Sequence, residues 1–381
     1  MSDGTQDRVR ARDLGVPFDG TPGPHNAITD VPGVEVGMVT ILDPDEATRK
    51  ACTGVTAILP RGRDGVGDPC AAGIYSLNGN GEMTGRSWIE ESGALALPIA
   101  ITNSHAVGAV HTGVDQWVAK VHPEVGVQWM LPTVAETWDG YLNDINGGHV
   151  RPEHAHQALD GATSGPVQEG CVGGGTGMNC YGFKGGTGTA SRVVSHGGTD
   201  YTVGVLMQAN FGVRKELTLH GVKLGAQSAA PQPMTTTSWF ADEMAAAGVR
   251  RGAGSVIVIV GTDAPLIPTQ CEALARRVAL GLARTGTPGG HFSGDIFLAF
   301  STGNSGTLTS RLPRAEAGPE DYDTMRLIPW GYIDAFYEAV VQATEEAVMN
   351  ALVAAVDTVG RDGHASYALP HDEIRAAFGT A

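Results

Sequence analysis

Residues 255–261 read Ser-Val-Ile-Val-Ile-Val-Gly, a continuous β-branched run that constrains the fold more than any other segment. Val and Ile are stiff at χ1 and suit a pleated strand. Because neither alternating face is polar, the strand must be covered on both sides. A sheet with one solvated face is therefore excluded, and covering layers have to come from elsewhere in the chain. After Pro265 and Pro268, the apolar positions Cys271, Leu274, Val278 and Leu282 recur at helical spacing, and residues 331–358 form a second helical stretch rich in Ala and Val. Further strands are expected over 34–41, 53–59, 125–134, 201–209 and 295–300, with a short apolar run at 97–101. Helices are expected over 104–121, begun by a Ser104 cap, and around 153–159. Residues 1–30 read as an irregular arm punctuated by Pro17, Pro22 and Pro24. With no repeat and no linker between these elements, layered α/β architecture in a single domain is expected.

Composition narrows the partners. Lys and Arg number 25 against 41 Asp and Glu, a net charge of −16. That sign repels phosphate backbones and anionic lipid surfaces, so neither nucleic acid nor a membrane is expected as a partner. No apolar run is long enough to span a bilayer, and the polar start Met1-Ser2-Asp3-Gly4 does not read as a secretory signal. The five cysteines are widely spaced without C-x-x-C, which argues against a disulfide framework or zinc site and for a reducing compartment. A cytoplasmic protein without cofactor or metal is expected. The 54 glycines are about twice the ordinary share of roughly 7% and crowd into loops such as 170–188.

Familiar catalytic signatures are missing. There is no G-x-S-x-G, no G-x-x-x-x-G-K-[ST] and no H-E-x-x-H. Gly173-Gly174-Gly175-Thr176-Gly177 has no Lys-Ser/Thr after it and reads as a closely packed connection. His154 and His156 fall in a helical stretch rather than on one strand face. Glu136, Asp139 and Asp144 form an acidic cluster near a strand end that by itself reads first as a solvated loop. One further kind of nucleophile needs no partner histidine: a serine at a chain N-terminus, whose own α-amine serves as base. It arises when the hydroxyl attacks the preceding carbonyl, forms an ester and is released by water. A small residue before the serine favours the step. Gly254–Ser255, preceded by Arg250-Arg251-Gly252-Ala253, fits this requirement and also fits a plain loop leading into a core strand.

Four segments resolve the ambiguity by resemblance. Gly254–Leu266 (Gly-Ser-Val-Ile-Val-Ile-Val-Gly-Thr-Asp-Ala-Pro-Leu) resembles the signature of the L-aminopeptidase D-esterase/β-peptidyl aminopeptidase family. So do Asn78-Gly79-Asn80-Gly81-Glu82-Met83-Thr84-Gly85, Gln208-Ala209-Asn210-Phe211-Gly212, and the run from Ser293 to Thr302. The likeness covers nearly the whole chain, from Val31-Pro32-Gly33-Val34 to Thr344-Glu345-Glu346-Ala347.

The resemblance implies a self-processing serine aminopeptidase with a four-layer αββα sandwich like that of N-terminal nucleophile hydrolases. Cutting between Gly254 and Ser255 would leave an α chain, 1–254, and a β chain, 255–381, associated as a homotetramer of αβ units. The implied nucleophile is Ser255, supported by Ser293 and Asp295, with Asn210 stabilising the oxyanion. Glu136 would receive the free ammonium of a small peptide, amide or ester. Family members vary between Asp and Glu at the position of Asp295. Some place a tyrosine near the oxyanion where this chain has Trp138, with Tyr141 as a stand-in. The products implied are N-terminal β-amino acids or small L- or D-residues. Two other readings are an N-acyltransferase of the ornithine acetyltransferase type, which normally exposes threonine, and a non-enzymatic acidic binding protein in which Gly254–Ser255 stays intact.

Overall fold

A computed structural model describes residues 9–127, 130–236, 254–310 and 316–379. Its strands are β1 (Glu35–Leu42), β2 (Cys52–Leu59), β3 (Cys70–Ser76), β4 (Ala94–Leu95), β5 (Ile99–Asn103), β6 (Thr133–Thr137), β7 (Asn179–Cys180), β8 (Phe183–Lys184), β9 (Gly186–His196), β10 (Thr199–Asn210), β11 (Gly254–Thr262) and β12 (Ser293–Ser301), with a short pair β13 (Thr358–Val359) and β14 (Ala365–Ser366) near the end of the chain. Two sheets carry the architecture, one of order β1-β2-β5-β6 and one of order β4-β3-β12-β11-β10-β9.

Strand β11 lies in the interior of the larger sheet, parallel to β12 and antiparallel to β10. Its alternation serves two cores at once. Val256, Val258 and Val260 pack with Leu274, Val278 and Leu282 of helix Pro268–Arg284 and with helix Asp334–Val353. Ile257 and Ile259 point the other way and meet Ile58, Ile99, Ile101 and Ala135 of the smaller sheet. A third core lies outside that smaller sheet, where Val114, Trp117 and Leu159 of helices Val107–Val121 and Pro152–Asp160 cover Val55, Ala57 and Val134. Three cores between four layers make an αββα sandwich. The β-branched run is apolar on both faces because both of its faces are interior.

Some boundaries differ from expectation. Of the strand expected at 125–134, Pro123–Gly126 forms a helical turn instead, residues 128 and 129 lie outside the described residues, and the strand is Thr133–Thr137. A proline at the first position of Pro123–Gly126 favours helical φ there, and Pro132 immediately precedes the strand. The helix expected from Ser104 begins at Val107 with Ala106 at its cap, and the last long helix is Asp334–Val353 rather than 331–358. Strand β3 and helix Arg86–Ser92 carry no strong periodic signal and are additions from the structure. Gly173–Gly177 is a buried 3-10 turn between the sheets, in line with its reading as packed connection; a Cβ on Gly174 would stand 2.0 Å from Gln208 Oε1. The five cysteines are free, and no helix among the described residues is long and apolar enough to cross a membrane.

Candidate active site

The candidate site lies where β10, β11 and β12 end or begin side by side. Antiparallel register places Asn210 opposite Ser255, and parallel register places Gly294 opposite Ser255. Ser255 shares the face of Ile257 and Ile259, so its side chain looks toward the space between the sheets. Its hydroxyl donates to the carbonyl oxygen of Gly254 at 2.8 Å and accepts the Gly294 N–H at 3.3 Å. The hydroxyl therefore sits directly beside the peptide bond that a self-cleaving chain would cut. Gly254 has no room for a side chain, since a Cβ would meet Asn210 O at 2.5 Å and Phe211 Cα at 3.0 Å. The lead-in Arg250–Ala253 lies outside the described residues.

Ser293 and Asp295, two apart on β12, point to the same side as the strand period requires. Ser293 Oγ donates to Asp295 Oδ1 at 2.5 Å, and Asn78 Nδ2 donates to Asp295 Oδ2 at 2.9 Å. Burial raises the pKa of Asp295, while Ser293, Asn78 and the Val256 N–H oppose that rise by favouring the charged form. Asn210 is buried and held at both ends of its amide. Its Oδ1 accepts the Asn179 N–H at 2.8 Å, and its Nδ2 donates to Trp138 O at 2.8 Å. That arrangement leaves the second Nδ2 hydrogen as a donor for another acceptor.

Glu136 comes from the smaller sheet, on β6, and is also buried. Its Oε1 accepts the Glu82 N–H at 3.0 Å, and its Oε2 accepts the Ser104 hydroxyl. Burial raises its pKa; Ser104 and the Glu82 N–H resist the rise, and the nearby Glu82 carboxylate adds to it. The Ser104 hydroxyl, expected to cap a helix, thus serves this carboxylate instead. The loop carrying Glu82 also reaches β12 at Gly294, the residue paired with Ser255: a Cβ on Gly81 would stand 3.2 Å from Glu136 Oε1 and 3.0 Å from Gly294 Cα. Ser255 and Asn210 are thus register partners, Ser293 and Asp295 flank the Gly294 that pairs with Ser255, and the Gly81 backbone links Glu136 to that same glycine.

Two aromatic expectations resolve differently. Trp138 contributes its backbone carbonyl to Asn210, and its indole lies against Gly140, where a Cβ would meet it at 2.4 Å. Tyr141 does not reach the site. Its hydroxyl donates to Ala365 O at 3.1 Å and its ring stacks on His364 at 4.9 Å. The acidic cluster is divided as well: Asp139 is fully buried, with Asn143 Nδ2 donating to it at 3.0 Å, and burial pushes its pKa up to about 7. Asp144 is instead part of a turn, its N–H donating to Lys50 O. His154 caps helix Pro152–Asp160 through its Nδ1, and no metal-holding cluster occurs among the described residues. Sequence reasoning missed the roles of Asn78, Ser104, Asn179 and Gly294; Asn78 and Gly294 lie in the Asn78–Gly85 and Ser293–Thr302 motifs, whereas Ser104 and Asn179 act through contacts distant in the chain.

These elements agree with known proteins. The family model "Peptidase family S58" matches residues 26–366. The chain is 48% identical over 373 residues to the beta-peptidyl aminopeptidase BapA of Sphingosinicella microcystinivorans, covering 96% of this chain and 91% of that protein. The L-aminopeptidase D-Ala-esterase/amidase of Ochrobactrum anthropi, described as a variant of the Ntn hydrolase fold, superposes with a TM-score of 0.85 at 44% identity, over 96% of this chain and 97% of that one. The beta-aminopeptidase of a Burkholderia species gives a TM-score of 0.85 at 43% identity, over 98% of this chain and 100% of its own. The sandwich is thus of the Ntn hydrolase type, and the chain belongs to peptidase family S58 as an aminopeptidase, a hydrolase acting on peptide bonds.

Proposed function

We propose that this aminopeptidase cuts itself between Gly254 and Ser255 and then releases N-terminal β-amino acids or small L- or D-residues from peptides, amides and esters. The observation that carries the reading is the Ser255 hydroxyl 2.8 Å from the Gly254 carbonyl oxygen. In the first stage Oγ attacks the Gly254 carbonyl carbon, the C–N bond breaks and the Ser255 nitrogen leaves as an amine. Water then opens the ester, leaving the Gly254 carboxylate and a free Ser255. The freed α-amine accepts the Oγ proton when Ser255 attacks a substrate carbonyl. Its proton passes to the departing amine, and water hydrolyses the acyl-enzyme.

Ser293 and Asp295 form the hydrogen-bonded pair that orients the α-amine. Asn210 directs its remaining N–H toward the developing oxyanion. Glu136 receives the substrate ammonium, a charge-assisted contact that restricts action to chain ends. Substrates of the relatives, β-peptides and D-alanyl esters or amides among them, support this substrate class. The two chains remain associated in αβ units, assembled as a homotetramer in the cytoplasm.

The test compares β-alanyl, L-alanyl and D-alanyl p-nitroanilides with their N-acetylated counterparts. Wild-type protein is expected to release p-nitroaniline from at least one free-amine substrate and from none of the acetylated ones. Ser255→Ala is expected to release none. Equal turnover by Ser255→Ala would overturn the reading.

A further inference from the structure

The Asn78–Glu82 segment leaves β3 and crosses the site from the bond-making residues to the carboxylate of the smaller sheet. At its start, Leu77 N–H donates to Asp295 O at 2.9 Å and the Ser76 hydroxyl donates to Asn78 O at 2.9 Å, which fixes the backbone of Asn78. Both side-chain hydrogens of Asn78 are then committed, one to Gly290 O at 3.1 Å and one to Asp295 Oδ2 at 2.9 Å. Ser293 occupies the other oxygen, Oδ1. At the far end of the segment the Glu82 N–H donates to Glu136. Midway, the segment lies so close over β12 that a Cβ on Gly294 would meet Asn80 O at 2.4 Å.

We propose that Asn78 is a positioning residue for the aminopeptidase reaction: its amide fixes the Asp295 carboxylate from the side opposite Ser293. The inference rests on Asp295 supporting the Ser255 amine as set out above. Torsion χ2 is broad for Asp, and without Asn78 the carboxylate would keep only Ser293 on Oδ1 and the Val256 N–H. With Ser293 on one oxygen and Asn78 on the other, a single orientation remains. Asn78 suits the task because its carboxamide is anchored at Gly290 O by the same nitrogen that reaches Asp295. An aspartate of the same shape offers acceptors only and would set a second negative charge against the first.

Three variants of the full chain, assayed on β-alanyl p-nitroanilide, test this. Turnover is normalised to the amount of processed protein on a denaturing gel, and melting temperature is recorded alongside. Asn78→Asp preserves shape and is expected to lower kcat about 10- to 100-fold, the scale of losing a hydrogen bond to a charged group, with KM within about twofold. Asn78→Ala is expected to fall in the same range, no less active than the aspartate variant. A packing role would instead spare the isosteric aspartate and penalise alanine through melting temperature. Asp295→Asn separates the two layers of argument. If Asp295→Asn is crippled while Asn78→Asp turns over at the wild-type rate, the positioning role is wrong and the site stands. If Asp295→Asn itself keeps full activity, the assignment of Asp295 fails and the role of Asn78 falls with it.

Discussion

The two sheets contribute to the site in different ways. The larger one supplies Asn210, Ser255, Ser293 and Asp295 from β10, β11 and β12, three adjacent interior strands paired on both sides. The smaller one supplies Glu136 from β6, an edge strand with β5 as its one neighbour in the sheet. On the interior strands, continuous ladders and two apolar cores fix the reacting groups. On the edge strand, the carboxylate is oriented by groups outside its sheet, the Ser104 hydroxyl and the Glu82 N–H. Under the proposed mechanism, the division assigns bond-making to rigid ladders and substrate recognition to loops. Changes on the larger sheet should act on kcat, and changes around β6 on binding.

The largest expected effect follows from Ser255→Ala, which removes the attacking atom from both stages. It should leave one chain of 39.5 kDa and activity at background, read on a denaturing gel and in the p-nitroanilide assay. Asn210→Ala should lower kcat about 10²- to 10³-fold, the usual cost of one oxyanion donor, with little change in KM. A rise in KM alone would place Asn210 among the binding residues and blur the division between sheets.

Glu136→Gln should lower kcat/KM for free-amine substrates about 10- to 150-fold, the scale of about 1.5–3 kcal/mol for a hydrogen bond to charge. Two chains should still form, because the precursor presents no ammonium at Gly254–Ser255. Steady-state kinetics on β-alanyl and L-alanyl substrates decides it; wild-type rates on both would move the ammonium site elsewhere.

The smallest effect concerns stability at the recognition end. Asp139 has its folded pKa raised from 3.8 to about 7 by burial. The folded state therefore holds this proton more tightly than the unfolded state. Its stabilising contribution is fully present below about pH 3.8 and is lost as pH rises through about 7. Asp139→Asn mimics the neutral acid, so its melting temperature should match the wild type near pH 4 and exceed it near pH 8. The gain is at most about 4 kcal/mol, at about 1.4 kcal/mol per pKa unit. Equal melting temperatures at both values would mean that Asp139 is ionised and satisfied in the fold.

The same contrast governs how far the chain's chemistry can be read from its residues. The Val-Ile run of β11 and the 271–282 stripe announce the larger sheet and its helix cover, because local pattern and tertiary burial agree there. Ser293 and Asp295 were picked out by the family resemblance, and strand alternation puts them on one face of β12 as their i, i+2 spacing requires. The β6 region was misread: its apolar residues near Val125 belong to a helical turn, and the strand begins only after Pro132. Small residues hide β3, where Cys-Ala-Ala-Gly shows little β character although every one is buried. Asn78, Ser104 and Asn179 act on carboxylates or amides between 31 and 217 positions away, and no local pattern encodes such contacts.

Intact-mass measurement of the purified wild-type protein, with N-terminal sequencing of any smaller chain, tests the central claim most directly. The account predicts two chains of 254 and 127 residues, about 26 and 13 kDa in proportion to length, the smaller beginning Ser-Val-Ile-Val-Ile. An active protein that remains a single chain of 39.5 kDa would contradict it, because Ser255 would then have no free amine to act as its base.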